Sequence, residues 1–142
     1  MGVALSAATR ESPDERAIRQ HIERYYFEGV RNSDTALAHK SFHPSMPAMY
    51  FVREGHFAQR TIPDWLASIA ERAPNPPKPD TAHRKVVSVD ISHDAAVAKL
   101  QIRYPDALVT DYMSLLKVDG QWVIVGKIFD RHPMASVQAN AR

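Results

Sequence analysis

The chain has 142 residues, a net charge of +2, a sequence pI near 9.0, and 44% hydrophobic and 24% charged residues. This length suits one folded domain, and the composition is ordinary for a globular protein. Lys and Arg are scattered rather than gathered in a basic stripe, which argues against nucleic-acid binding. The absence of Cys excludes disulfides and thiolate catalysis. No apolar run reaches membrane-spanning length, so we expect a cytoplasmic protein with no membrane partner.

Three helices are predicted in the first half of the chain. Ser12 can cap the first helix, Pro13 suits its first turn, and Glu15 completes a capping box. Apolar residues then recur at helical spacing to about residue 30. A short second helix is predicted over residues 35–41, and a third over residues 61–72. Residues 1–11 are expected to be a disordered N-terminus.

The later half of the chain alternates with the period of β-strands. One early strand is predicted over residues 49–53, ended by a turn at Glu54-Gly55. Strands follow at residues 84–91 and 96–104. Two long strands are predicted within residues 109–130, joined by Asp119-Gly120, a strong hairpin signal. Three helices with one early strand and four later antiparallel strands indicate an α+β fold.

The register of this hairpin predicts which side chains face inward. If Asp119 and Gly120 occupy the turn, Val118 faces Gln121 and side chains alternate from there. We take the face with the large Trp122 side chain as the interior. That face carries Asp111, Met113, Leu115, Lys117, Trp122, Ile124, Gly126 and Ile128. Lys127 then lies on the outer face opposite Tyr112, which predicts no Asp111–Lys127 ion pair.

Four stretches of sequence resemble a known family. They are YYFEGVRNSD, the FHP at residues 42–44, VVSVDIS with HDAAVAKL, and the TDYMSLLKVDGQWVIVGKIF hairpin. They span roughly residues 14–131 and resemble the nuclear transport factor 2-like superfamily, within it the SnoaL-like group that carries a lumazine-binding label. The resemblance implies one domain over residues 12–132, followed by a flexible tail over residues 133–142.

The same resemblance carries expectations about shape and function. It implies a cone-shaped, curved antiparallel sheet packed against three N-terminal helices around a pocket, usually in a dimer. Members of the superfamily include isomerases, dehydratases, cyclases, epoxide hydrolases and proteins that only bind ligands. The fold therefore does not imply a reaction, and the function depends on which residues form the site.

Asp111 and His43 are the candidate catalytic residues. On the interior face, a desolvated Asp111 carboxylate would suit general acid–base chemistry. The alternative is that it only accepts hydrogen bonds from a nearby loop or helix end. His43 follows the second helix and could reach the same pocket mouth. Alternatively it only caps backbone carbonyls. His39 and His43 have i, i+4 spacing but no third ligand in a recognisable pattern, so we predict no metal.

Five residues are candidates for the wall of a ligand pocket, since aromatic and apolar side chains are typical of small-molecule sites. Each could equally be an ordinary core residue. They are Tyr26, Tyr50, Trp65, Met113 and Ile128.

The sequence is compatible with three functions. The first is a small-molecule-binding protein with an apolar pocket for a hydrophobic or aromatic ligand, no cofactor, and a homodimer formed through the sheet. The second is a cofactor-independent isomerase, dehydratase or hydrolase with Asp111 as base and His43 or Tyr26 as its partner. The third is a protein interaction module that uses the outer sheet face around Tyr112, Val123 and Lys127.

Overall fold

The computed structural model describes residues 10–72 and 80–135. The disordered N-terminus and the flexible tail predicted from sequence fall mostly on residues 1–9 and 136–142, outside the described residues. None of the helices in the described ranges combines the length and apolarity needed to cross a membrane.

The first helical region is continuous but not uniformly α-helical. Helix α1 (Pro13–His21) leads into a π-helical segment (Ile22–Phe27), which leads directly into helix α2 (Glu28–Arg31). The sequence predicts a single regular helix here, so the π-helical segment is a correction. Helices α3 (Thr35–His39) and α4 (Ile62–Ala70) follow.

The predicted helix starts are confirmed by their caps. The Ser12 hydroxyl accepts a hydrogen bond from the Glu15 amide at 3.0 Å. The Asp34 carboxylate accepts one from the Leu37 amide at 3.0 Å, and the Thr61 hydroxyl one from the Asp64 amide at 3.2 Å. Each bond satisfies an amide that has no carbonyl partner within its helix.

Six strands form one curved sheet. They are β1 (Ala48–Arg53), β2 (His56–Thr61), β3 (His83–Ser92), β4 (Ala95–Tyr104), β5 (Ala107–Val118) and β6 (Gln121–Pro133). Their order is β2-β1-β6-β5-β4-β3. Strand β1 pairs with β6 in parallel, and the other neighbours are antiparallel.

Strand β2 is missing from the sequence prediction. Its sequence, HFAQRT, has no fully buried residue and no regular apolar alternation. The signal that could have revealed it is the preceding turn. Glu54 and Gly55 have φ values of 50° and 78°, so they form a two-residue hairpin turn that pairs β2 with β1.

The helices cover the sheet face that carries Trp122, as predicted. Trp122 and Met113 are buried, and so is the predicted inward row of β4 from Ala96 to Ile102. At Gly29 the backbone of α2 approaches α3 so closely that an added Cβ would lie 2.6 Å from the Ala38 nitrogen. This contact leaves no room for a side chain at Gly29.

The β5–β6 hairpin departs from the predicted register at one residue. The Asp119-Gly120 turn and the pairing of Val118 with Gln121 are confirmed. Further along, Leu115 pairs with Ile124 whereas Ser114 pairs with Gly126. Val125 is therefore an extra residue, a β-bulge, and it reverses the alternation of the rest of β6.

The bulge corrects three predicted positions. Lys127 points inward and is only 6% exposed, whereas Ile128 points outward and is 56% exposed. Gly126 lies on the outer face against Ser114 rather than leaving space in the interior. The prediction that Asp111 and Lys127 lie on opposite faces is wrong.

Candidate functional site

A cavity of about 300 Å³ lies between the helices and the inner face of the sheet. Residues from the π-helical segment, α2, α4 and all six strands line it. The charged residues of its wall are Asp111, Lys127, Arg60, Arg72, Arg84 and Arg131. Its aromatic residues are Tyr26, Trp65, Tyr104 and Phe129. The apolar lining expected from sequence is thus corrected to a mixed, strongly cationic one.

Three polar side chains form a buried network in the cavity wall. The Tyr26 hydroxyl donates to Asp111 Oδ2 at 2.8 Å, and Lys127 Nζ donates to the Tyr26 oxygen at 2.6 Å. Lys127 Nζ also lies 3.6 Å from Asp111 Oδ2, an ion-pair contact. Tyr26 comes from the π-helical segment, Asp111 from β5 and Lys127 from β6. The network therefore connects the helical layer to the centre of the sheet.

Two local irregularities of the backbone position this network. The π-helical segment has one more residue per hydrogen-bonded ring than an α-helix, and such segments are frequent at functional sites. Tyr26 lies within it. The bulge at Val125 turns Lys127 inward, where it pairs across the strands with Met113. In a regular hairpin the inward residue at this point would be Gly126 or Ile128.

Aromatic rings surround the Lys127 ammonium group. Its Nζ lies 4.9 Å from the ring centroid of Tyr26, 5.0 Å from that of Phe129 and 5.7 Å from that of Trp65. Tyr26 and Trp65 stack with an interplanar angle of 10°. A cation near aromatic faces is attracted by their quadrupoles. Lys127 meets Tyr26 at its hydroxyl rather than over its face, so the Phe129 and Trp65 rings are the ones that offset part of the desolvation of the buried amine.

Burial and mutual charge shift the ionisation of the network. Burial lowers the pKa of Lys127 below its usual 10.5, although the Asp111 charge opposes this effect. Burial, together with the negative charge of Asp111, raises the pKa of Tyr26 well above 10.0. Tyr26 is therefore a neutral phenol that donates to Asp111, and Lys127 gives up its proton more readily than a surface lysine.

One oxygen of the network has no partner. Asp111 is completely buried, and its Oδ1 accepts no hydrogen bond from any described residue. An unsatisfied buried acceptor costs on the order of 1–3 kcal/mol. Asp111 also belongs to the cavity wall, but its Oδ1 is closed to solvent, so a donor on a bound ligand or water can reach this oxygen only after side chains of the wall move.

The structure brings together three of the seven residues predicted for the site. Asp111, Tyr26 and Trp65 line the same cavity. Met113 is buried in the core and does not line it.

Tyr50, Ile128 and His43 lie elsewhere. Tyr50 stacks on Phe57, which is 77% exposed. Ile128 lies on the outer face and is the cross-strand partner of Tyr50. The His43 amide donates to the Ile124 carbonyl at 2.8 Å, and His43 Nδ1 accepts from the Ser45 amide at 3.0 Å. The predicted Asp111–His43 pair is therefore not formed. The interaction surface proposed from sequence also loses Lys127, which is buried.

Lys127 and the four arginines of the cavity wall were not predicted from the sequence. The bulge that turns Lys127 inward has no sequence signature, because Val125 is an ordinary strand residue. The arginines lie far apart along the chain and meet only in the folded sheet.

Comparisons with known proteins agree with this fold. A curated aldolase, FrzH from Cladobotryum sp., is 27% identical over 108 residues, which are 76% of this chain and 84% of that protein. A nuclear transport factor 2-like protein of unknown function from Shewanella baltica superimposes with a TM-score of 0.72 at 26% identity. The superposition covers 85% of this chain and 95% of that protein. A second such protein, from Silicibacter pomeroyi, gives a TM-score of 0.69 at 17% identity, over 82% of this chain and 94% of that one.

The family comparison covers most of the chain. The model of one family, whose description is "Putative lumazine-binding", matches residues 13–130. This range includes the helices, all but the last residues of the sheet, and the buried network. The chain therefore belongs to this family and has the nuclear transport factor 2-like fold.

Proposed function

We propose that this protein binds a small carbonyl compound in the cavity and catalyses proton transfer at the carbon next to the carbonyl, without a cofactor. The observation that carries the proposal is the Lys127–Tyr26–Asp111 network behind the cavity wall, in which one buried carboxylate oxygen has no hydrogen-bond partner among the described residues. Ligand binding is the first step of this function. This step is the small-molecule binding that the sequence suggests, and we propose a carbonyl compound as the ligand.

Each member of the network has a role in this chemistry. Asp111 Oδ1 takes a proton from the α-carbon, so that the C–H bond breaks and its electron pair forms an enolate. Lys127 has an N–H to donate to the enolate oxygen, where negative charge develops. Tyr26 holds Asp111 Oδ2 and fixes the carboxylate. The proton then returns from Asp111 to the substrate.

An aldol reaction extends the same cycle by one step. The enolate carbon bonds to the carbonyl carbon of a second group, and the proton on Asp111 goes to the new alkoxide. The name of the Cladobotryum relative, an aldolase, supports this extension. The absence of a cofactor and the cytoplasmic location stay predictions.

Exchange of the α-protons in deuterated water tests the proposal. We use phenylacetone and phenylpyruvate, two benzyl ketones that differ in one carboxylate, and follow loss of the α-proton signal by NMR. The wild-type protein is expected to accelerate exchange of at least one ketone beyond buffer. Tyr26→Phe is expected to slow it about 10-fold or more, because the donor that fixes Asp111 is lost.

The matched control for this assay is His43→Gln, because His43 lies outside the cavity. This variant is expected to exchange protons as fast as wild type. Wild-type exchange no faster than buffer with both ketones contradicts the proposed function. An equal loss in Tyr26→Phe and His43→Gln would contradict the role of the network.

We also propose that two copies pair through the outer sheet face. Apolar side chains there remain exposed along neighbouring strands, and patches of this kind commonly mark interaction sites. The exposed apolar residues of this face include Val97, Tyr112, Leu116, Ile128 and Phe57. Tyr112 and Ile128 are cross-strand neighbours, so the patch is continuous at its centre.

A charge placed at the centre of this patch tests the pairing. The wild-type protein is expected to elute with the mass of two chains in size-exclusion chromatography with light scattering. Ile128→Glu is expected to give one-chain mass, because an unpaired carboxylate would be buried in the interface. Arg16→Glu, a change of charge at an exposed position of α1 in the helical layer on the other side of the sheet, is the control and should leave the dimer intact. A wild-type monomer at about 100 μM, well above the micromolar Kd of even a weak interface of standard size, contradicts the proposal.

A further inference from the structure

We infer that the cavity selects an organic anion, a ketone that carries a carboxylate, and that Arg60 and Arg72 bind its carboxylate. This inference rests on the proposed function, because it names the substrate class of the same cavity. It adds an anionic end to the small hydrophobic or aromatic ligand expected from sequence.

Four arginines converge on the cavity from four parts of the fold. Arg60 comes from β2, Arg72 from the end of α4, Arg84 from β3 and Arg131 from β6. With Lys127, five cationic side chains of the described residues line the wall, and Asp111 is the one carboxylate residue among the described lining residues. Such a concentration of like charge in a concave site is unfavourable without counter-charge.

Carboxylates of the protein balance only some of these cations. Asp80 pairs with Arg84, whose side chain is 4% exposed, and Asp106 lies 3.6 Å from Arg131. Lys127 is paired with Asp111. Within the described residues, neither Arg60 nor Arg72 lies within ion-pair distance of a carboxylate.

The undescribed parts of the chain hold no side chain that could complete the balance. All 16 Asp and Glu residues of the sequence fall within residues 10–72 and 80–135. Residues 73–79, which follow Arg72 in the sequence, read APNPPKP and include no acidic residue. Arg60 is half-buried and Arg72 is exposed, so both are also hydrated, and a bound anion would supply the counter-charge that the side chains of the protein do not.

The chemistry of the wall fits a ligand with two different ends. A guanidinium group presents parallel N–H donors that match a carboxylate, and two such groups bind it with directional, charge-assisted bonds. Arg60 pairs across the strands with Met49 on β1, the neighbour of the strand that carries Lys127, and Arg60 and Lys127 line the same cavity. The stacked rings of Tyr26 and Trp65 supply an aromatic wall for the body of the ligand. The carboxylate thus binds to the arginines, and the carbonyl group reaches Lys127 and Asp111.

Equilibrium binding of phenylpyruvate and phenylacetone tests the inference. Calorimetry on the full-length protein is expected to show phenylpyruvate binding at least about tenfold tighter, since a charge-assisted contact is worth about this factor. Its affinity should fall as salt is raised, whereas that of phenylacetone should not. Arg60→Gln and Arg72→Gln should each weaken phenylpyruvate binding about tenfold, and the double variant should remove the preference.

The matched control is Arg53→Gln, because Arg53 is exposed on β1 and does not line the cavity. This variant should bind phenylpyruvate like wild type. Equal affinity for the two ketones, no binding of phenylpyruvate, or a preference that survives in the double variant overturns the inference. The thermal midpoint of each variant shows that it is folded.

The two proposals fail in distinguishable ways. If phenylpyruvate binds through the arginines but its α-protons exchange no faster than in buffer, the anion site stands and the catalytic proposal is wrong. If the wild-type protein accelerates α-proton exchange of both ketones but binds them with equal affinity, the catalytic proposal stands and the anion site is wrong.

Discussion

Asp111→Asn is expected to reduce protein-catalysed α-proton exchange by about 10²–10⁴-fold, the usual contribution of a positioned general base. The substitution keeps the shape of the side chain but removes the basic oxygen. It leaves an amide that still has an acceptor for the Tyr26 hydroxyl, provided that its oxygen takes the place of Oδ2. The loss should therefore appear in the exchange rate far more than in ligand affinity.

Rate and affinity have to be measured on the same variant. The exchange rate is followed by NMR in deuterated water and ligand binding by calorimetry, with far-ultraviolet circular dichroism as a check of folding. Asp90→Asn is the matched control, because Asp90 is an exposed aspartate on β3. It should exchange protons like wild type. If the Asp111→Asn protein binds the ketone and exchanges its α-proton at the wild-type rate, Asp111 is not the catalytic base.

Local signals explain how much of the fold could be predicted. A helix start is decided by a few adjacent residues, and Ser12, Asp34 and Thr61 all cap helices in the structure. The same is true of the Asp119-Gly120 turn, where two residues with positive φ set the hairpin. Asp111 was identified as buried because its position follows from that turn without crossing the bulge.

Features that depend on tertiary packing could not be predicted in this way. The bulge at Val125 and the π-helical segment each change the phase of a periodic pattern, and no residue in either one requires the change. For this reason the sequence predicts Lys127 on the outer face and Ile128 on the inner face, the reverse of what the structure shows. Strand β2 was missed because its exposed residues lack the alternation that marks a half-buried strand.

The cationic wall illustrates a second limit. Arg60, Arg72, Arg84 and Arg131 are spread over half of the sequence, and each alone resembles a solvated surface residue. Only the strand order places them around one cavity. Scattered arginines argued against a nucleic-acid surface, but the same scatter in sequence is compatible with a concentrated anion site in the fold.

Lys127→Met is expected to lower the free energy of unfolding by about 3–5 kcal/mol, the usual cost of removing one partner from a buried ion pair. The variant leaves the Asp111 carboxylate buried with only the Tyr26 hydroxyl to satisfy it. Urea unfolding followed by tryptophan fluorescence measures the loss, because both Trp65 and Trp122 are buried in the core. A second substitution, Asp111→Leu, should restore most of the stability to Lys127→Met, because it removes the uncompensated charge.

The matched control uses the same substitution on the neighbouring strand. Lys117→Met removes an ion pair with Asp14 at 3.0 Å, but both side chains of that pair are substantially exposed. Solvent screens such pairs, so this variant should lose much less stability. Comparable losses in the two variants would show that the Lys127–Asp111 pair does not behave as a buried charge pair.

The double variant also bears on why the network exists. A buried ion pair is often no more stabilising than apolar residues of similar volume, so stability alone gives little reason to keep one. If Lys127→Met/Asp111→Leu is as stable as wild type but no longer exchanges the α-proton of a ketone, the pair serves chemistry rather than folding. If that variant still exchanges the proton, the buried charges are structural and the catalytic proposal is wrong.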